Sequence, residues 1–374
     1  MVWNSPWPSY CAEPVDPQPD FTAFNVRANA NASFNGNVVW TIYCPTHFSM
    51  FPHYHQDSGG KVTAVNGGIP QRGNMSLHLA QVQADVEALF PDVGFSAYAV
   101  IDWEIWYPWL ILASKSIWVN ESLAYVRSAH PTMPEDQVQA EAVRSWNATS
   151  LAFMAETLKL CVKLRPHAKW GYYGRPGCYT GLDPQSSPPA CVASVQARND
   201  ALGELWAAGS GLFPSVYIGP NVKYPVERTP RYVQAEVAET RRLRSKLGLD
   251  AYPVVPFTWY DLFNGTNESS WRPMTNETDL ATEFETPKLA GADGLIVWGA
   301  GKDASTHARC SNMAKYVQTT LGPKLRSLNN GSEARTSRDQ LDKAGVAAFD
   351  RNAQLPDGAS PLLDAASSSL HASR

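Results

Sequence analysis

Short apolar runs of strand character alternate with longer stretches of helical periodicity along most of this 374-residue chain. The strand-like pieces fall at 38–43, 95–101, 170–173, 212–217, 253–258 and 294–298. Helical patterns occupy the intervals, at 77–89, 136–164, 195–207, 232–247 and 308–328. Strands that read as near-continuous apolar runs are covered on both faces, and alternation with helices makes neighbouring strands parallel. So many units, with no Gly-rich dinucleotide turn among them, favour a closed architecture over an open doubly wound sheet. The expected fold class is α/β, a distorted (β/α) barrel of the TIM type.

After Leu328 the composition shifts to Asn, Ser, Ala, Asp and Gly. Such a stretch buries too little apolar area to offset chain entropy. The expected organisation is one catalytic barrel over 1–328 followed by a disordered low-complexity tail over 329–374. With 31 Lys+Arg against 35 Asp+Glu, the chain has no basic excess to neutralise phosphates, so no nucleic-acid partner is expected. No apolar run reaches the roughly 18 residues of a membrane span, and no transmembrane segment is expected. A P-loop, a G-x-S-x-G elbow and a G-x-G-x-x-G turn are all missing, so phosphoryl and hydride transfer lack support and no cofactor is expected. His53-x-His55 with Asp57 has the residue types of a metal site. It lies beside Gly59-Gly60 without supporting partners, reads as a polar surface loop, and no metal is expected.

Two counts bear on the compartment. Asn31, Asn74, Asn120, Asn147, Asn264, Asn267, Asn276 and Asn330 each have Ser or Thr two residues on without an intervening Pro. Ordinary composition would give about two or three such glycosylation sequons. The six cysteines, Cys11, Cys44, Cys161, Cys178, Cys191 and Cys310, form no C-x-x-C pair, which excludes a zinc knuckle and favours disulfides. Both counts indicate a secreted or lysosomal glycoprotein. Met1 is followed at once by Val-Trp-Asn-Ser-Pro, with neither the basic nor the apolar region of a signal peptide, so the expectation is a chain that has lost its leader.

Chemistry concentrates at Tyr98-Ala-Val-Ile-Asp102-Trp103-Glu104-Ile-Trp106-Tyr107-Pro108. An apolar strand ends in two carboxylates two residues apart. Strand alternation sends Asp102 and Glu104 to the same side, with alpha carbons about 6.5 to 7 Å apart. Barrel enzymes place their active sites at this end of the strands. Mutual repulsion, together with the low polarity of Trp103 and Trp106, holds a proton on one carboxyl to higher pH than an isolated Glu. A general acid beside an ionised partner is what glycoside hydrolysis requires. The competing reading is that Asp-x-Glu only caps the next helix or binds an arginine.

In these segments the chain resembles the hyaluronidases of glycoside hydrolase family 56. The resemblance runs in order through Val2-Trp-Asn-Ser-Pro6, Asn66-Gly-Gly-Ile-Pro-Gln-Arg-Gly-Asn74, Asp102-Trp-Glu104 with Trp106 and Pro108, Leu164-Arg-Pro166, Trp170-Gly-Tyr-Tyr173 with Cys178-Tyr179, Pro214-Ser-Val-Tyr217, and Gly291-Ala-Asp-Gly294 into Trp298-Gly299. It implies an endo-β-N-acetylhexosaminidase that cleaves β-1,4 bonds of hyaluronan with retention, the substrate's own N-acetyl oxygen attacking the anomeric carbon. By resemblance, Glu104 is the general acid/base and Asp102 stabilises the oxazolinium intermediate. Tyr173, Tyr217, Trp298, Tyr43 and Phe257 fall at substrate-binding positions, although a Tyr or Trp at a strand end is as often packing. The resemblance also implies Cys11–Cys310 and Cys178–Cys191 bridges, the second closing a short loop worth roughly 3 kcal/mol. Cys44 and Cys161 are left as buried free thiols.

Three departures remove a polar group from the site such relatives have. Cys44 stands where they usually carry Asp, Phe257 where they carry Tyr, and Ala300 where some carry Ser. Losing one hydrogen bond to a sugar costs about 0.5 to 1.5 kcal/mol, which shifts preference without abolishing cleavage. Chondroitin, with an epimeric amino sugar, is therefore the alternative substrate for the same machinery. A non-catalytic glycan-binding glycoprotein is the alternative of another class. The expected partner is one of these two glycosaminoglycans, acted on by a monomer.

Overall fold

The computed structural model describes residues 1–8, 11, 18–179, 181–183, 185–218, 229–262 and 273–330. Strands β1 (Val2–Asn4), β2 (Arg27–Ala28) and β3 (Val39–Tyr43) open the chain. A hairpin of β4 (His53–Gln56) and β5 (Val62–Val65), helix α1 (Met75–Leu89) and β6 (Tyr98–Asp102) follow. Next come α2 (Ile117–Ala129), α3 (Glu135–Leu164), β7 (Lys169–Tyr172) and a second hairpin, β8 (Leu182–Asp183) with β9 (Ala190–Cys191). The remainder is α4 (Ala193–Ala201), α5 (Gly203–Ala208), α6 (Pro230–Lys246), β10 (Phe257–Trp259), α7 (Glu277–Leu280), α8 (Thr286–Leu289), β11 (Ile296–Trp298), α9 (His307–Tyr316) and α10 (Gly322–Asn330). The tail expected over 329–374 lies outside the described residues after Asn330.

The strands form a distorted barrel. One arc pairs β10, β11, β1 and β2 in parallel, and the other pairs β3, β6 and β7 in parallel. Parallel bridges Tyr173↔Phe213, Leu212↔Val254 and Ser215↔Phe257 join the arcs on one side. The segment 212–217, expected as a full strand, makes only isolated bridges, these three and an antiparallel one between Phe213 and Arg175. Pro214 in its middle has no N–H to give a ladder.

On the other side, between β2 and β3, side chains take the place of a ladder. Asn29 is 3 % exposed; its Oδ1 accepts from the Val38 and Val39 amides and its Nδ2 donates to the Val39 carbonyl. Asn35 grips the backbone N–H and C=O of Thr41 in the same two-handed way, at 2.8 and 3.2 Å. Asn4, at the end of β1, accepts from the Thr41 hydroxyl at 2.7 Å. A carboxamide carries the donor and the acceptor of a peptide group, so it satisfies a strand edge as a neighbouring strand would.

Outside the barrel, α3 buries Val138, Ala142, Trp146, Phe153, Met154, Leu158 and Cys161 at helical spacing. This stripe packs with Trp103 and Trp170 in the largest apolar cluster. Helix α2 lies outside the predicted helices, because its buried stripe of Val119, Ser122 and Val126 is short and interrupted by a serine. The turn at Asn66-Gly67-Gly68 explains the Asn-Gly-Gly motif: both glycines have positive φ, and a β-carbon at Gly68 would meet the Tyr54 ring at 2.6 Å. Cys11–Cys310 and Cys178–Cys191 are both bonded, while Cys44 and Cys161 are free, the former only half-buried. His53 and His55 belong to the first hairpin and not to a loop. His53 is buried against the Phe51 carbonyl and His55 is exposed. Among the described residues no group of His, Cys, Asp and Glu has metal-binding geometry.

Candidate active site

Strand β6 carries the Asp-x-Glu pair to the end of the barrel where the parallel strands terminate. Asp102 is its last residue, in register with Tyr43 on β3. The backbone there is anchored, since the Cys44 amide donates to the Asp102 carbonyl at 3.0 Å. Trp103 turns out of the barrel toward α3 and is fully buried against Phe51 and Trp106, so Asp102 lies on the opposite, inner side of β6, the side of Val100. Asp102 is half-buried and Glu104 is reached by solvent, although protein surrounds both.

Burial pushes both carboxyls above their ordinary values; for Asp102 the charge of Glu104 adds to the effect, and for both Arg175 opposes it. As a coupled pair they hold one proton to a higher pH than separate carboxyls would.

Of the aromatic residues expected around the pair, four gather on one wall. Trp298, the last residue of β11, donates from Nε1 to the Tyr43 hydroxyl at 3.2 Å. Its ring stacks on Tyr217 with centroids 6.0 Å apart and meets Trp259 edge-on at 4.9 Å. Tyr173 lies 6.0 Å from Tyr217, and its hydroxyl shares a 3.3 Å hydrogen bond with Ser215. Gly299 lets this wall close: a β-carbon there would fall 2.0 Å from the Tyr260 hydroxyl and 2.2 Å from Ser5 Oγ. The Tyr43, Tyr173 and Tyr217 phenols are all raised, chiefly by burial, so they remain neutral donors.

Phe257 occupies a different place. It is 1 % exposed inside the barrel and meets Tyr173 edge-on at 5.0 Å, so it supports that ring from behind. Ala300 gives its backbone N–H to Asp303 Oδ2 at 3.0 Å. Asp303 is buried and also accepts from the Tyr260 hydroxyl at 2.8 Å.

Sequence reasoning gave no role to Arg175 or Tyr107. Arg175, 4 % exposed, follows β7 by three residues; its Nη2 donates to the Trp103 carbonyl at 2.9 Å and its guanidinium lies 4.4 Å over the Tyr107 ring. Tyr107 in turn stacks on Trp109, and Tyr179 packs edge-on against both. The only signal available was an arginine just past the end of a barrel strand.

The expected sequons Asn31, Asn74, Asn120, Asn276 and Asn330 are exposed; Asn147 is half-buried, its Oδ1 accepting from the Leu110 amide. Asn264 and Asn267 lie outside the described residues. No described helix is long and apolar enough to cross a membrane.

Residues 1–348 match the hyaluronidase family, glycoside hydrolase family 56. A hyaluronidase from the wasp Polistes annularis is 34 % identical over 309 residues, covering 81 % of this chain and 80 % of the wasp protein. Human hyaluronidase-1 is 33 % identical over 337 residues, covering 88 % of this chain and 74 % of the human protein. Among solved structures, bee venom hyaluronidase in complex with a hyaluronic acid tetramer superposes with a TM-score of 0.74 at 29 % identity. That match covers 88 % of this chain and 99 % of the bee chain.

Proposed function

Because the chain belongs to the hyaluronidase family of glycoside hydrolases, we propose that it cleaves β-1,4 bonds following N-acetylglucosamine in hyaluronan, endo-wise and with retention. The observation that carries this reading is the Asp102–Glu104 pair at the end of β6 with Tyr43, Tyr173, Tyr217 and Trp298 gathered beside it. The similar bee venom enzyme was crystallised with a hyaluronic acid tetramer.

In the first step the acetamido oxygen of the substrate attacks C1 while the C1–O bond to the leaving sugar breaks. Glu104, the solvent-reached member, gives its proton to the departing oxygen. Asp102, deeper and ionised at that moment, faces the acetamido group and offsets the positive charge of the oxazolinium ring. Water then attacks C1, its proton returns to Glu104, and the acetamido group is regenerated. In this reading the acetamido oxygen is the nucleophile, which leaves Asp102 to offset the charge of the ring. Neutral Tyr43, Tyr173 and Tyr217 offer hydroxyls to the sugars, and Trp298 offers an apolar face. The six-cysteine framework with its two bridges, and the exposed sequons, support a secreted or lysosomal glycoprotein.

Chondroitin is the second reading, favoured by Cys44 next to Tyr43, by Ala300 two residues after Trp298 and by Phe257 behind Tyr173, none of which offers a strong polar group to a sugar hydroxyl. The test is release of reducing ends from hyaluronan and chondroitin in parallel, from about pH 3.5 to 7.5, with Glu104→Gln as control. New ends that disappear in the variant support the assignment, and the ratio of the two rates gives the preferred polymer. Polymer binding without new ends on either substrate would favour a glycan-binding protein instead.

A further inference from the structure

The groups facing Asp102 and Glu104 come from several elements: Tyr43 and Cys44 at the end of β3, Tyr107 after β6, Tyr173 and Arg175 after β7, and Tyr217. The phenols and the thiol are neutral, because burial raises each of them. Among the described residues Arg175 is the one cation acting on the pair.

Its placement is specific. The Trp103 carbonyl that accepts from Arg175 Nη2 belongs to the residue between the two carboxyls, so this hydrogen bond fixes the backbone from which both side chains spring. The Tyr107 ring covers the guanidinium, and the positively charged face on the electron-rich ring is a favourable contact. Nη1 is buried and has no hydrogen-bond partner. A buried donor without a partner is costly, and such exceptions in a native structure call for a reason.

We propose that Arg175 is a positioning residue for the reaction: it clamps the turn between Asp102 and Glu104 and keeps a buried positive charge beside them through the step in which Glu104 gives up its proton. Before that step the pair holds a proton and carries one negative charge. After it the pair carries two, and Arg175 supplies the counter-charge together with a free N–H. The cation thereby makes proton donation easier than the buried pair alone would allow. This inference rests on the reading of Glu104 as the acid.

The experiment measures kcat and KM on hyaluronan across about pH 3.5 to 7.5 for wild type, Arg175→Met, Arg175→Gln, Arg175→Lys and Glu104→Gln, each with its thermal unfolding midpoint. Without the cation both carboxyls keep their protons to higher pH. In Arg175→Met and Arg175→Gln both limbs of the kcat profile therefore move up, by about one pH unit. At the wild-type optimum kcat falls about 10- to 100-fold while KM stays within about threefold. Arg175→Lys restores the position of the limbs but not the full kcat, because an ammonium lacks the planar fork. A folded neutral variant whose unfolding midpoint drops while its profile stays in place overturns the proposal and leaves Arg175 a structural role. Glu104→Gln separates the two ideas. If that variant keeps turnover, the acid assignment itself is wrong; if it is inactive and the neutral Arg175 variants keep the wild-type profile, only the role of Arg175 is lost.

Discussion

At the residue scale, the Asp102–Glu104 pair was legible because strand alternation is a local rule: two positions apart on β6 means the same side. Glu104→Gln is expected to lower kcat by at least about a hundredfold in the reducing-end assay while hyaluronan binding persists. Asp102→Asn tests the repulsion. Both folded carboxyls bind protons more tightly than their unfolded counterparts, so stability contributed by the pair is present at low pH and lost as pH rises through the folded values. The Asn variant removes one of two like charges, so its urea midpoint should fall less than that of wild type between about pH 4 and pH 7; an equal fall in both would contradict the repulsion. Arg175 was not legible in the same way. It lies 72 residues from Trp103, and the parallel pairing of β6 with β7 brings them together. Phe257 shows the converse limit, since strand-end position predicted a contact residue and its ring lies behind Tyr173.

At the element scale, periodicity found the helices with broad apolar stripes and the strands with continuous apolar runs, as α3 and β6 illustrate. It passed over α2, whose stripe is thin, and the β4–β5 hairpin, which is mostly exposed and has no alternating buried face. It overstated 212–217, where Pro214 interrupts pairing that apolar content alone suggests. The β8–β9 hairpin is tied to Cys178 through Cys191, and Tyr179 next to it packs against Tyr107 and Trp109. Replacing Cys178 and Cys191 together by Ser is expected to cost about 2 to 3 kcal/mol in urea unfolding. It should also raise KM more than it lowers kcat, because the loosened wall binds substrate while the carboxyls stay in place. Asn29→Ala leaves the Val38 and Val39 amides without their acceptor and is expected to cost about 2 to 3 kcal/mol by the same measurement.

At the scale of the whole molecule, the barrel closes on its own beginning: β11 pairs with β1, and Cys11 is bonded to Cys310 across a sequence separation of 299. A bridge over so long a loop removes much freedom from the unfolded chain. Cys11→Ser with Cys310→Ser should lower stability by about 4 to 5 kcal/mol in urea, more than loss of the 13-residue bridge; the reverse order would show that loop length does not govern these two bridges. The barrel class was readable from alternation of strands and helices, whereas the asparagine seam between β2 and β3 was not, because a carboxamide's partners are set by tertiary closeness. That seam also bears on how copies of the chain meet. An open strand edge invites a strand from another molecule, and β3 would offer one on the side facing β2. Asn29 and Asn35 already occupy its N–H and C=O groups, so the edge is saturated from within and the barrel can stay incompletely laddered without becoming a template for aggregation.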